Sequence, residues 1–459
     1  MRELKSTLII EMSADALRRQ SALQDLEAIK KAGGDVASIL REQVQALSKV
    51  ATKEVLPHFK GITEDRLTLR GGHKMEFTCI AHSDDIIYLG SGDGTVSAWS
   101  LQPHNINSTS TEEKPLKQLF IIRGRPKIRV HGRKQPFHYD IMGVKLNRHP
   151  YASIHSTSRI RDPYHDGHFG GITALAASAD GAYVASAGLD CLVNVRNGKT
   201  GKSLFSIILD NIALSMRIFG HTLTICMQST LKVFNLDDHC EMFTLRGHED
   251  QITGCAIMDA ENNAAITCSI DKSVRFFDYN KQTQLIFTSG VSLECVCWPR
   301  TDVFIAGCSL GLLVHTSEKR KPVMQVHPHD CLRFLGSGSI SHTFVPSTDY
   351  CKRLVTALDC ITNGDLVISG CHGLVSLWKC VDSNLDKVAD YAVDGFVNDL
   401  KLMIQHTKLY VLVALGKTLA RGRWDRDPAG YNGLLLIDLK CPVPMESKGS
   451  SRFRARVAM

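Results

Sequence analysis

The chain has 459 residues, 44% of them hydrophobic, and a net charge of +7. That length and apolar share suit two or three ordinary domains or one large repeat architecture, and they exclude general disorder. No apolar run reaches the ~20 residues of a membrane span, and Thr7-Leu8-Ile9-Ile10, flanked by Glu3 and Glu11, is too short for a signal-peptide core; a soluble intracellular chain is expected.

Residues 1–60 carry helical signals. Ser13 can cap a helix through Leu17, Leu23, Leu26 and Ile29, broken at Gly33-Gly34, and Asp35 can cap a second through Val36, Ile39, Leu40, Val44 and Leu47. Their apolar stripe packs either on the rest of this chain or on a different protein. From Asp65 the period changes to two. Seven stretches then end in the same kind of strand, among them Gly90–Trp99, Ser186–Arg196 and Cys268–Asp278: small residues, an Asp, then alternating apolar positions closing on a bulky residue. Gly-His pairs stand upstream at Gly72-His73, Gly167-His168 and Gly247-His248.

A period of about 40 residues with that His, Asp and terminal bulky side chain marks a WD40 β-propeller blade. The strand ends fall at Trp99, Arg196, Phe234, Phe277, His315, Trp378 and Ile437, which gives seven blades. Leu67-Thr68-Leu69-Arg70 is expected to close the ring by completing the last blade, which removes two open sheet edges. The predicted fold is all-β: a seven-bladed propeller over 61–440 with an N-terminal helical extension at 1–60 and a tail at 441–459. In each complete blade the Asp carboxylate should bond the Gly-His imidazole, pairing His73 with Asp93, His168 with Asp190 and His248 with Asp271, as scaffold and not as catalysts. Blades three, five and seven lack the set and blade six has His372 in place of the Asp, so these are expected to rely on strand packing alone.

The charge is localised. Residues 101–165 hold 12 Lys or Arg against 4 Asp or Glu, and the tail from Lys440 adds 5 against 1, so the remaining body is slightly acidic. Within an insertion at about 102–166, Arg123, Arg125, Lys127, Arg129, Arg133 and Lys134 alternate with apolar residues, Gly and Pro, and Phe137 and Tyr139 follow. Guanidinium groups pair phosphates and stack on bases, and aromatic rings add stacking, so this composition points to RNA; a solvated loop is the alternative.

Other constellations are weaker. Leu415-Gly416-Lys417-Thr418 lacks the earlier glycine of a P-loop, because position 411 is Val. His327-Pro328-His329-Asp330-Cys331 lacks a fourth metal ligand at suitable spacing. Fifteen cysteines are odd in number, dispersed and mostly inside apolar strand patterns, which indicates free thiols acting as small hydrophobes in a reducing compartment. No nucleophile with an evident base stands out, so no enzyme, cofactor, metal or small-molecule substrate is expected.

The segments Gly395-Phe396-Val397-Asn398-Asp399-Leu400-Lys401 and Leu419-Ala420-Arg421-Gly422-Arg423-Trp424-Asp425-Arg426 resemble those of the WD-repeat proteins of the U3 small nucleolar ribonucleoprotein. Gly422, Arg423, Trp424 and Arg426 match that family's pattern, while Asp425 replaces a second Trp. The resemblance implies a nucleolar protein that joins U3 RNA at its box B/C element, beside a kink-turn-binding protein and other pre-rRNA processing factors, with no membrane partner. It would act in early pre-18S rRNA processing, with Arg421, Arg423, Trp424 and Arg426 as further RNA-binding candidates. The rival reading is a protein-interaction scaffold without RNA, of the G-protein β-subunit or ubiquitin-ligase adaptor type.

Overall fold

The computed structural model describes residues 67–69, 73, 75–101, 116–124, 167–257, 264–279, 283–329, 353–381, 383–405, 408–420 and 422–439. Residues 54–443 form one compact unit. The predicted N-terminal helices and the basic tail lie outside the described residues.

Seven antiparallel four-stranded sheets dominate the described residues, and six of them are threaded from inner to outer strand in sequence order. The inner strands are Phe77–His82, Ile172–Ala177, Ser215–Phe219, Ile252–Ile257, Leu293–Arg300, Ala357–Cys360 and Phe396–Gln405. The seventh sheet takes its outer strand from the far end of the chain. Leu67, Thr68 and Leu69 pair with Leu436, Leu435 and Leu434, and this joint closes the ring as the spacing predicts.

Each bulky residue that marked the repeat sits in the third strand of its blade, so a repeat read from sequence ends one strand before its sheet does. The consequence is largest in blade one. Its outer strand, Leu116–Ile122, is cut from within the basic span at 102–166, which leaves two separate stretches, 102–115 and 125–166.

Alternation buries one side of each strand against each neighbouring blade, and every one of the seven junctions between blades holds its own apolar cluster. A bulge recurs near the start of the inner strands, at Thr78, Thr173, Thr253, Glu294 and Asn398. It turns three of these side chains across the junction. Thr78 Oγ1 donates to the Ile172 carbonyl at 2.7 Å, Thr253 Oγ1 to that of Leu293 at 2.8 Å, and Asn398 Nδ2 to that of Phe77 at 2.9 Å. The inner strands of blades one and two, four and five, and seven and one are thereby tied together.

Blade five shows what one substitution in the repeat costs. His315 occupies the position held by Trp99 and Trp378 elsewhere, fully buried and stacked on Phe304 with ring centroids 5.1 Å apart. Neither ring nitrogen has a hydrogen-bond partner. Burial lowers its pKa to about 4. The folded-state value lies below the unfolded one, so this group's contribution is intact above pH 6.5, falls as the pH drops, and levels off near pH 4. His315→Phe is expected to stabilise the chain by about 1–3 kcal/mol at neutral pH and to flatten that acid limb. Urea unfolding at pH 7.5, 5.5 and 4.5 reads both effects.

Candidate nucleic-acid interface

The ring has an upper face, on which the inner strands begin and the second strands turn into the third. Blade one's outer strand runs up to this face, and the exposed Arg123 follows its last residue. The chain leaves at Gly124 and returns at Gly167 in the same place. A Cβ on Gly167 would collide with the Arg123 carbonyl, and one on Gly124 would collide with that of Asp93, so only glycines let the two passes meet here. Stretch 125–166, with nine Lys or Arg against three Asp, is therefore anchored at both ends on the upper face. Arg125, Lys127, Arg129, Arg133 and Lys134 themselves lie outside the described residues.

The second basic segment reaches the same face from the neighbouring blade. In blade seven a small hairpin, Thr418–Leu419 paired with Gly422–Arg426, projects from the turn between the second and third strands. Asn398 holds its base: Nδ2 donates to the Thr418 carbonyl at 3.1 Å, and Oδ1 accepts from the Ala420 N–H at 2.9 Å. On the other side His372 Nε2 donates to Asp427 Oδ2 at 3.0 Å, and the Asp427 N–H bonds the Lys417 carbonyl at 2.8 Å. Arg426 is exposed; Arg423 and Trp424 lie on the hairpin strand, and Arg421 lies outside the described residues. Asn398 was visible in the sequence only as part of a family pattern, and nothing local announced it as the anchor.

A cavity of about 350 Å³ opens at the ring axis, lined by the inner strands of all seven blades. Its cations are matched. Lys401 Nζ stands 3.7 Å from Asp359 and 3.8 Å from Asp399, Asp399 also accepts the Ile80 N–H at 2.8 Å, and Arg217 Nε donates to the Cys255 carbonyl at 3.1 Å. A cluster already neutralised offers a polyanion little, so the cations available to phosphate are those of the periphery.

The paired His and Asp residues behave in two ways. His168 Nδ1 donates to Asp190 at 3.0 Å while the Ser186 hydroxyl reaches Nε2 at 2.9 Å. His248 Nδ1 donates to Asp271 at 2.7 Å, with Thr267 on Nε2 at 2.7 Å. Burial holds His248 below the usual imidazole range even beside that carboxylate. The carboxylates also cap loop N–H groups, those of Phe169 and Leu192 for Asp190 and of Glu249 and Ser273 for Asp271. In blade one the expected His73–Asp93 bond is replaced. His73 Nε2 takes the Ser97 hydroxyl at 2.7 Å, which also accepts Trp99 Nε1 at 3.0 Å, while Asp93 caps the Thr95 N–H at 2.9 Å. The reason lies in the second strand: blade one has Leu89 where blades two and four carry the hydroxyls of Ser186 and Thr267.

Blade six corrects the expectation that it rests on strand packing alone. Lys387 and Asp390 form an ion pair at 2.8 Å whose side chains are 3% and 0% exposed. The Ser376 hydroxyl donates to Asp390 at 2.6 Å, and the ammonium also reaches the Pro328 carbonyl and lies 5.5 Å from the Trp378 ring. His327 and His329 are absorbed into the same junction: His327 Nε2 bonds the Arg353 carbonyl at 3.1 Å, and His329 Nε2 meets the Cys371 thiol at 3.2 Å. Among the described residues no group of three metal-capable side chains converges.

Comparison with known proteins agrees with this architecture. The WD domain, G-beta repeat model matches residues 161–197 and 240–278. The chain is 24% identical to an uncharacterized WD repeat-containing protein of Schizosaccharomyces pombe, over 78% of this chain and 68% of that one. It is 22% identical to a U3 snoRNP-associated protein-like protein of Arabidopsis thaliana, over 66% and 64%. With the human U3 small nucleolar RNA-interacting protein 2 it shares 27% identity over 36% of this chain and 33% of that one, so the chain spans only part of such relatives. Among solved structures, U3-55K superposes with a TM-score of 0.61 at 20% identity, covering 82% of this chain and 99% of the other; the WD40 repeats of RRP9 do so with 0.61 at 21%, over 83% and 99%. The chain is a seven-bladed propeller protein with WD40 repeats, similar to the U3 snoRNP-associated WD-repeat proteins.

Proposed function

We propose that this protein is a non-catalytic RNA-binding subunit of the U3 small nucleolar ribonucleoprotein, working in the nucleolus on early pre-18S rRNA processing. The observation that carries the reading is the meeting of two segments, remote in sequence, on one face of two neighbouring blades: Arg123, beyond which the basic stretch 125–166 follows in sequence, and the hairpin ending at Arg426. Arginines and lysines there neutralise phosphates and supply affinity, and the rigid ring fixes where they stand. The relatives' names support U3 RNA as the partner; contact at box B/C beside a kink-turn-binding protein is the finer part of the proposal and rests on the resemblance of the blade-seven segments. The matched charges of the channel favour the periphery as the contact surface, and His168, Asp190, His248 and Asp271 serve the scaffold.

The test is recovery of RNA with the tagged full-length protein from cells, followed by sequencing. U3 transcripts are expected to dominate over other small nucleolar RNAs. Recovery of protein partners with no enriched small nucleolar RNA would favour the interaction-scaffold reading and overturn this one.

A further inference from the structure

The two cations of the axial cavity are matched in different ways. Lys401 stands 3.7 Å and 3.8 Å from the carboxylates of Asp359 and Asp399, which also accept the N–H groups of Leu402 and Ile80. Arg217, on the inner strand of blade three, has a carbonyl alone. Its Nε donates to that of Cys255 at 3.1 Å, and no carboxylate among the described residues comes within ion-pair distance. Its two terminal nitrogens bond nothing among those residues and are not sealed by protein, so they open on the cavity that Arg217 lines. Donors held inside a fold without acceptors are costly, and a planar guanidinium fork matches the two oxygens of a carboxylate. Ser215 shares its strand face with Arg217 and also lines the cavity; its hydroxyl meets only the Cys255 sulfur, at 3.4 Å.

The rest of the lining narrows the ligand. Met75 and Leu189 border the cavity from the upper face and are 45% and 42% exposed, and Leu419 of the blade-seven hairpin joins them. Large apolar side chains left open at a cavity mouth suit an apolar neighbour. Glu76 and Glu294 line the same cavity and act against a ligand of many negative charges. A single carboxylate with apolar flanks satisfies both conditions, and a phosphate chain satisfies neither.

We propose that the axial cavity receives an acidic side chain, flanked by apolar residues, from a segment of a protein partner. The carboxylate bonds the terminal nitrogens of Arg217 side-on and takes the Ser215 hydroxyl, while the flanking residues cover Met75 and Leu189. The site stands whether or not the basic segments of blades seven and one bind RNA.

Phenylglyoxal modification of the full-length protein, read arginine by arginine by mass spectrometry, tests this. Arg246 is exposed and reports the dose; Arg196 and Arg275 are buried away from the cavity and should stay intact. Arg217 should react, and acetyl-Leu-Glu-Leu-amide should protect it while Arg246 still reacts. The matching glutamine peptide should not protect. Glutarate, a free small acid, should protect less well than the glutamate peptide. Met75→Ala with Leu189→Ala alters only exposed side chains; it should raise the peptide concentration needed by roughly 10-fold and leave that of glutarate unchanged. Equal protection by glutarate and peptide in the wild-type chain overturns the proposal, because the rim then reads no partner. Protection by an oligouridylate and not by the peptide overturns it too, since the guanidinium would then belong to RNA. An Arg217 no more reactive than Arg196 and Arg275, or one that the glutamate peptide leaves unprotected, contradicts it outright.

Discussion

Asp390→Ala is expected to destabilise the ring by about 3–5 kcal/mol, the usual cost of leaving one partner of a buried ion pair uncompensated. The reason is specific to blade six. Lys387 would keep its ammonium buried beside the Pro328 carbonyl and the Trp378 face after losing the carboxylate 2.8 Å away, and the Ser376 hydroxyl would lose its acceptor. Replacing both charges at once, as Lys387→Met with Asp390→Leu, should come back close to the wild-type midpoint, because the desolvation cost disappears with the attraction. Urea midpoints of the single and double variants decide the matter. If the single variant lies within 1 kcal/mol of wild type (about the net worth of an ordinary hydrogen bond), the pair does not hold the junction.

The second large effect concerns RNA. Substituting Gln for Arg123, Arg125, Lys127, Arg129, Arg133 and Lys134 removes six cations without cutting the chain. A deletion reaching back into Leu116–Ile122 would be a poor probe, because that segment is the outer strand of blade one and its loss would expose a sheet edge. If each cation neutralises one phosphate of single-stranded RNA, the slope of log affinity against log salt should shrink in magnitude by about 4, and affinity near 0.15 M salt should fall by about 10²–10³-fold. Filter binding of a U3 box B/C transcript from 50 to 300 mM KCl, roughly the range in which such slopes are read, measures both quantities. An unchanged slope would remove the insertion from the mechanism.

Much of the scaffold was legible in the sequence because its determinants are local and repeated. His168 and Asp190, or His248 and Asp271, lie within one repeat, and the hydroxyls that complete them sit between them in the chain. The closing strand could be read from Leu67-Thr68-Leu69 because a propeller has one place for a lone strand ahead of its first blade. Blade six was illegible for the opposite reason. Its network is built from Lys387 and Asp390 on the outer strand and a carbonyl at Pro328, positions at which the repeat specifies nothing. The candidate interface was half legible: composition marked the insertion and a family pattern marked the hairpin. That Arg123 and the hairpin share one face follows from ring closure, which sets blade seven beside blade one and brings together residues almost the whole propeller apart in sequence.

Ultraviolet crosslinking of the native particle, with peptide–RNA adducts identified by mass spectrometry, addresses the central claim most directly. Adducts between U3 nucleotides and peptides from 123–166 and 421–426 are the expected result. U3 adducts confined to turns on the opposite face, such as 198–202 or 317–322, or no U3 adducts at all, would contradict it.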